Sequence, residues 1–293
     1  PGYLERAVLQ RELLSRSEIL LRDIFVWHLR KEYRRGEELD AELMLKKSNV
    51  TRRLAKRHSD ILLSLRELES LAMHDDTPIE QLPACDRPES CAVCSRIEPG
   101  MSAEVFTLFG GKSLARSLVA RGIEDVSDIE DTGELSRPQQ IQHRLAREGG
   151  IHLEADKIRN FLERLEYPRV YLDFEAFSRP IPPFVGGRPW EFVPTQYSMQ
   201  VHPAPEAPVS TYDYIMPPGD DRRAELAEYL LTHAGRPGSV VVYSVQFERS
   251  VLSGLAHVLP GRAADLEYVR GSIVDLLELF KGFLYYNPRQ GGR

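Results

Sequence analysis

The nine residues from Arg169 to Phe177 alternate in character and are rich in aromatic and β-branched side chains. This pattern is typical of a β-strand. Strand geometry places Asp173 and Glu175 on one face, about 7 Å apart along the backbone, and Leu172 and Phe174 on the other. The chain is therefore expected to build a sheet in which one strand carries two carboxylates on the same face.

Paired carboxylates among apolar neighbours are unfavourable unless a positive charge neutralises them. Oxygen ligands of this kind suit Mg²⁺ or Mn²⁺, so Asp173 and Glu175 are candidate metal ligands. The alternative is an edge strand whose two carboxylates are simply solvated. The strand by itself leaves both interpretations open.

The composition is that of an ordinary globular protein, with 293 residues, 42% of them hydrophobic and 28% charged. This length is enough for two ordinary domains or one large one. No apolar run approaches the ~20 residues of a membrane span, so no membrane association is expected. The net charge of −6 does not itself attract nucleic acid, although enzymes that act on nucleic acid often use local basic patches and bound metal.

All three cysteines, Cys85, Cys91 and Cys94, lie within one ten-residue stretch. A secreted disulfide framework normally scatters an even number of cysteines along the chain, so the clustering favours a cytoplasmic protein with thiolates gathered around a metal. Zinc and 4Fe–4S clusters usually take four ligands. The fourth would be His74 or a cysteine that precedes Pro1. The alternative is three free thiols.

Hydrophobic periodicity predicts a mainly helical first half and a mixed second half. The first half is expected to contain helices over 3–16, 48–73, 112–121 and 156–165, and a strand over 23–29. From Arg169 onward the predicted order is β-β-β-α-β-α. Its later elements are strands over 195–201, 210–216 and 239–243 and helices over 220–234 and 246–258, and a further helix is predicted over 273–280.

That order, beginning with an Asp-x-Glu strand, resembles the ribonuclease-H-like fold of the DnaQ-type (DEDD) 3′-to-5′ exonucleases. In that superfamily four acidic residues hold two divalent ions, and the first motif matches Asp173 and Glu175. The second motif normally reads Asn-x-x-x-Phe-Asp. Here Ser244 replaces the Asn, Phe247 matches, and Glu248 stands where Asp is usual. The resemblance implies catalytic and metal-binding roles for the three acids and substrate contact for Ser244 and Phe247.

A more specific resemblance, over roughly residues 105–293, is to a bacterial family called domain of unknown function 2779. It rests on the combination of several short phrases, at residues 171–177, 181–189, 194–198, 242–248 and 274–276. Asp275 occupies a supporting position in this comparison. The third acidic motif of the exonucleases is not found before Arg293 and is expected beyond it.

The beginning of the chain resembles the end of a RecB-like iron–sulfur nuclease domain. Gln10 lies on a helix where that family carries a Gln, and the cysteine loop resembles its cluster. The expected organisation is a RecB-like tail with the cysteine cluster, a helical linker domain and an α/β, ribonuclease-H-like domain with a mixed sheet and flanking helices. Their expected ranges are 1–98, 99–166 and 167–293.

These features together predict a metal-dependent nuclease, a 3′-to-5′ exonuclease that acts on a single-stranded end of DNA or RNA. Arg188 and Trp190, in a Pro- and Gly-rich loop over 178–194, would clamp phosphates and stack on bases. The alternative for these loop residues is burial against the fold. Because Ser244 and Glu248 depart from the exonuclease motif, the rival interpretation is a degenerate nucleic-acid-binding or scaffold module of a larger nuclease.

Overall fold

A computed structural model describes residues 2–72 and 104–290. The chain divides into two compact units, Pro1–Pro83 with Ser178–Glu191, and Ala84–Phe177 with Phe192–Arg293. The predicted three-domain boundaries remain predictions. Within the described residues, no helix has both the length and the apolar character that a membrane crossing requires.

In its described residues, the first unit combines three helices with a two-stranded antiparallel sheet. Its elements are α1 (Tyr3–Arg16), β1 (Phe25–Leu29), α2 (Ala41–Met44), β2 (Leu45–Asn49) and α3 (Thr51–Ala72). The two helices and the strand predicted here are confirmed. The strand β2 was not predicted, because its sequence Leu-Lys-Lys-Ser-Asn lacks the apolar alternation of a half-buried strand. A small core holds the unit together and consists of Leu4, Val8, Val50 and Leu54.

The segment 178–191 belongs to this first unit through hydrogen bonds to Arg35. The backbone N–H of Arg35 donates to the Gly187 carbonyl at 3.0 Å, and the Gly186 N–H donates to the Arg35 carbonyl at 2.7 Å. The Arg35 guanidinium also donates to the Pro182 carbonyl at 2.7 Å. The Arg34 guanidinium donates to the Gly186 carbonyl at 3.0 Å, so the loop is held by main-chain pairing and by two arginine side chains.

The described part of the second unit, from residue 104, contains short helices before its sheet, as predicted. These are α4 (Lys112–Ala120), α5 (Arg137–Glu148) and α6 (Ala155–Glu163), with a short strand β3 (His152–Leu153) between the last two. Gly122, with φ +80°, follows α4, a left-handed conformation that glycine adopts without strain. At the start of α5 the Ser136 N–H donates to the Gln139 side chain at 2.8 Å, as a helix cap of this type requires.

A five-stranded mixed sheet forms the centre of this unit. Its strands are β4 (Arg169–Ser178), β5 (Phe192–His202), β6 (Ser210–Ile215), β7 (Ser239–Val242) and β8 (Ile273–Asp275). Their order across the sheet is β6-β5-β4-β7-β8. β5 and β6 are antiparallel, whereas β7 runs parallel to both β4 and β8. All four residues of β7 are buried, as expected of a parallel strand covered on both faces.

Four helices complete the unit and follow β6 in the chain. They are α7 (Arg223–Ala234), α8 (Val245–Val258), α9 (Ala263–Gly271) and α10 (Leu277–Lys281), and a final strand, β9 (Tyr285–Tyr286), pairs with β3. The main core combines apolar residues of the central strands with those of α7, α8 and α9. The mixed α/β prediction is therefore confirmed.

The helix predicted over 273–280 is wrong in its first part. Residues Ile273–Asp275 form β8, registered with Val240–Val242 of β7, and the helix begins only at Leu277. A three-residue strand of this kind is fixed by its neighbour in the sheet and has too few residues to show a period of its own.

Candidate functional site

The central strand β4 presents its two acidic residues on one face. Leu172 and Phe174 are buried in the main core, and Asp173 and Glu175 are exposed on the opposite face. The alternation predicted from the sequence is therefore confirmed for this strand. Thr195 of β5 donates its hydroxyl to the Glu175 carbonyl at 3.2 Å, so the main chain at the site is tied to the neighbouring strand.

The neighbour on the other side, β7, is shorter than β4. Registered pairing between the two strands runs from Arg169 with Ser239 to Tyr171 with Val241. β7 ends at Val242, and α8 begins three residues later. The part of β4 that carries Asp173 and Glu175 therefore extends beyond its parallel neighbour.

Glu248, in the first turn of α8, occupies this region. The residue is only 2% exposed, and its carboxylate accepts a hydrogen bond from the backbone N–H of Phe174. Phe174 stands between Asp173 and Glu175 in β4. The other oxygen, Oε2, is buried and has no hydrogen-bond partner. The charges of Asp173 and Glu175 act on Glu248 here, where β4 continues past the end of β7, and the three residues are called the acidic cluster.

The environment disfavours the negative charge of Glu248. The pKa of Glu248 is raised from 4.5 to about 8, mainly by burial and also by the charges of Asp173 and Glu175, against the opposing effect of the Phe174 N–H. Desolvation and like charges are the two standard ways to stabilise a neutral carboxyl group. Glu248 therefore carries a proton at neutral pH unless a cation neutralises the cluster.

A second buried carboxylate, Asp275, lies at the end of β8 and is 8% exposed. Its Oδ1 accepts hydrogen bonds from the N–H groups of Ser244 at 2.9 Å and Leu277 at 3.0 Å, and its Oδ2 accepts from Val245 at 3.0 Å. Burial acts to raise the pKa of Asp275, but the three N–H donors outweigh it and lower the pKa. Asp275 thereby fixes the turn that delivers Glu248 to β4.

The two residues predicted to contact substrate near Glu248 have structural partners. Phe247 packs against the main core, and its ring lies 5.1 Å from the Phe192 ring in an edge-to-face contact. Ser244 is exposed and adopts a left-handed conformation with φ 80° and ψ 72°. The positions of both residues follow from the turn and the core, and their contact with substrate remains a prediction.

Arg188 and Trp190 lie in the first unit, within the segment 178–191. The Trp190 side chain is 60% exposed, which does not match the alternative of burial. Its backbone has φ 62°, and its N–H donates to the Arg179 carbonyl at 2.8 Å. Cys85, Cys91 and Cys94 fall outside the described residues.

Across residues 2–72 and 104–290, no group of three or more His, Cys, Asp or Glu side chains is already arranged to hold a metal ion. The acidic cluster therefore interacts through charge and burial, without a ready coordination geometry. Asp173 and Glu175 are exposed, so their side chains would need to turn toward Glu248 to share an ion with it.

Comparison with known proteins identifies one region of similarity. No curated protein matches the chain, and no solved structure matches it. Residues 170–293 match the model of a family described as a domain of unknown function (DUF2779), in agreement with the resemblance noted in the short phrases. The matched region includes Asp173, Glu175, Glu248 and Asp275, so the acidic cluster lies within the part of the chain that is similar to DUF2779.

Proposed function

We propose that the chain is a metal-dependent nuclease, a 3′-to-5′ exonuclease on single-stranded DNA or RNA. The observation that carries this proposal is the environment of Glu248. Its carboxyl group is buried, one of its oxygens has no partner, and two further carboxylates raise its pKa. Perturbed acids of this kind are concentrated at functional sites.

The topology of the sheet supports a ribonuclease-H-like assignment for this region. The chain forms β4, β5 and β6 in succession, and then β7 and β8 on the other side of β4. The two acidic positions of the first motif lie on the central strand, and the third acid follows β7. This is the arrangement that the resemblance to DnaQ-type exonucleases implies.

The donor set fits a hard divalent cation. Carboxylate oxygens are preferred ligands of Mg²⁺ and Mn²⁺, and the unpartnered Oε2 of Glu248 is the kind of atom that such an ion would satisfy. Asp173, Glu175 and Glu248 would hold the metal. Two bound divalent ions supply an activated water and stabilise the leaving oxygen in phosphodiester hydrolysis. Glu248 would release its proton as the cluster gains positive charge.

A second candidate is a nucleic-acid-binding module that no longer cleaves. It is favoured by the absence, within the described residues, of a side-chain group already arranged for metal coordination. In this alternative Glu248 keeps its proton and closes the end of the sheet. The two candidates differ in whether the acidic cluster binds divalent ions.

The cysteine cluster is part of the same proposal. Cys85, Cys91 and Cys94 would hold a 4Fe–4S cluster or zinc in a RecB-like tail of a cytoplasmic nuclease. Metal analysis of anaerobically purified protein tests this directly. Iron with sulfide, or zinc, that is lost in Cys91→Ser supports the assignment, and the absence of both metals contradicts it.

Cleavage of end-labelled oligonucleotides tests the nuclease proposal. DNA and RNA strands labelled at the 5′ end are incubated with the protein and Mg²⁺ or Mn²⁺. The expected result is a ladder that shortens from the 3′ end and is absent with Asp173→Ala. Glu206→Gln, a change of an exposed loop residue, serves as the matched control. Lack of cleavage with either metal, or cleavage unchanged in Asp173→Ala, would overturn the proposal.

A further inference from the structure

A cavity of about 260 Å³ lies beside the first turn of α8, within the second unit. Its wall includes Val245 and Arg249 of α8, together with the whole of β8 and Glu278 of α10. Arg249 follows Glu248 directly in the chain. The cavity and the acidic cluster are thus both built on the first turn of the same helix.

The cavity contains a cationic group whose hydrogen bonding is incomplete. The Nε of Arg249 is buried and has no hydrogen-bond partner. A buried donor without an acceptor is unfavourable, and it is most so on a charged group. An anion in the cavity would supply the missing acceptor.

A second guanidinium, that of Arg164, lines the same cavity. Arg164 follows the end of α6, and its guanidinium carbon lies 5.3 Å from the centre of the Phe161 ring. Stacking on an aromatic ring restricts a guanidinium that is otherwise mobile, so less order is lost when it binds. Phe161 is itself buried, and it gives this part of the wall a fixed position.

The charge balance of the cavity specifies the kind of anion. Its two carboxylates differ, because Asp275 is engaged by three backbone N–H donors and Glu278 is exposed at the wall. Two arginines therefore face two carboxylates. The formal charges of these four side chains cancel, so a group with a single negative charge is accommodated more readily than a dianion. A phosphodiester carries a single negative charge and presents two oxygens that suit the arginine fork.

We propose that this cavity binds a phosphodiester group of the single-stranded nucleic acid whose cleavage is assigned to the acidic cluster. The inference rests on the proposed function, because it takes nucleic acid as the substrate. Arg249 and Arg164 hold the phosphate, and Glu278 disfavours a dianion such as free phosphate or a terminal monoester. The arginines are binding residues, and the acidic cluster is the reactive site.

Measuring binding under conditions that prevent cleavage tests the cavity separately from the nuclease proposal. Anisotropy of a fluorescent single-stranded oligonucleotide is measured in EDTA, over a range of salt concentrations, for the full chain. Arg249→Gln and Arg164→Gln are each expected to weaken binding by about fivefold to tenfold. Each is also expected to lower the slope of log affinity against log salt by about 0.7, the contribution of one single-strand phosphate contact. Glu278→Gln is expected to tighten binding.

Arg159→Gln is the matched control, because Arg159 lies on α6 and pairs with Asp156 outside the cavity. Unlabelled oligonucleotide is expected to compete, whereas inorganic phosphate at equal ionic strength is not. Equal affinity and salt slope for Arg249→Gln, Arg164→Gln and Arg159→Gln would overturn the inference. So would absence of oligonucleotide binding, or equal competition by inorganic phosphate. If binding follows these expectations but the protein does not cleave, the cavity is a phosphodiester-binding site and the nuclease proposal is wrong.

Discussion

The ends of β7 and β8 lie at the same edge of the sheet, and a buried carboxylate lies at the end of β8 and another shortly after β7. Glu248, after β7, is 2% exposed, and Asp275, at the end of β8, is 8% exposed. Their electrostatic environments are opposite. Three backbone N–H groups lower the pKa of Asp275 against the effect of its burial, whereas Glu248 has one such donor and two acidic neighbours, and its pKa rises to about 8.

The difference shows that burial does not decide the charge of a carboxyl group by itself. The number of N–H donors directed at the group and the sign of the nearest charges act together with burial. Asp275 is ionised and structurally satisfied, so it functions as a link between β8 and the turn before α8. Glu248 has acidic neighbours and one oxygen without a hydrogen-bond partner. A cation that binds here would therefore interact with Glu248.

The largest expected effect is on cleavage, and it comes from changing Glu248, the carboxylate with the raised pKa. Glu248→Gln keeps an oxygen that can accept from the Phe174 N–H but removes the ionisable group. If the acidic cluster holds the metal, the single-turnover cleavage rate is expected to fall by roughly a hundredfold to a thousandfold, since metal-ion catalysis contributes several kcal/mol. Cleavage at the wild-type rate would show that Glu248 is a packing residue only.

The next effect is on the pH dependence of stability. The folded state holds the proton of Glu248 more tightly than the unfolded state does, because the pKa rises from 4.5 to about 8 on folding. The free energy of unfolding is therefore expected to decrease as pH rises between these two values, by at most about 1.4 kcal/mol per pH unit.

Glu248→Gln removes this dependence, so the variant should gain stability relative to the wild type as pH rises. Urea denaturation between pH 5 and pH 8, without divalent ions, measures the difference. Glu206→Gln should follow the wild type at every pH. A constant difference between Glu248→Gln and the wild type would contradict the raised pKa.

A smaller effect is expected at the satisfied carboxylate. Asp275→Asn replaces one acceptor oxygen by a donor group and leaves at least one of its backbone N–H partners without an acceptor. The expected loss is about 2 kcal/mol of unfolding free energy, the cost of an unmet buried donor and a lost charge-assisted bond. Urea denaturation measures it. Asp265→Asn, which alters an exposed ion pair with Arg262, should change stability by no more than about 0.5 kcal/mol. Equal changes in unfolding free energy for Asp275→Asn and Asp265→Asn would show that Asp275 has no special structural role.

The smallest effect concerns the turn that Asp275 holds. Ser244 has φ 80°, in the left-handed region that glycine occupies without strain. Ser244→Gly should stabilise the protein by up to about 1 kcal/mol, because relief of strain outweighs the greater freedom of the unfolded chain. Thermal denaturation measures the change, and Ser244→Ala should show no such gain. A destabilised Ser244→Gly would mean that the serine side chain contributes to the turn.

The sequence was sufficient to predict the elements that have a clear period. The alternation in β4 predicted that Asp173 and Glu175 share one face and Leu172 and Phe174 the other, and the apolar run of β7 predicted a buried strand. The position of Glu248 beside β4 could not be predicted from the period of its own segment. It depends on β7 ending before β4 does, which is a property of the pairing between two strands.

The same reason explains what was missed. The sequence does not predict α9, and it places β8 in a helix because Ile273-Val-Asp precedes a helical run. The three N–H donors of Asp275 come from two turns that are about 30 residues apart in the chain. Arg164 and Arg249 likewise line one cavity only because α6 and α8 lie next to it in the fold.

A titration with Mn²⁺ tests the central claim, that the acidic cluster around Glu248 is a cation site. Electron paramagnetic resonance of free Mn²⁺ reports binding to the full chain at pH 8, where Glu248 loses its proton more readily. We predict saturable binding that weakens at pH 6 and is lost in both Asp173→Asn and Glu248→Gln, but is retained in Glu206→Gln. Absence of saturable binding, or binding that is unchanged in Asp173→Asn and Glu248→Gln, would contradict the claim.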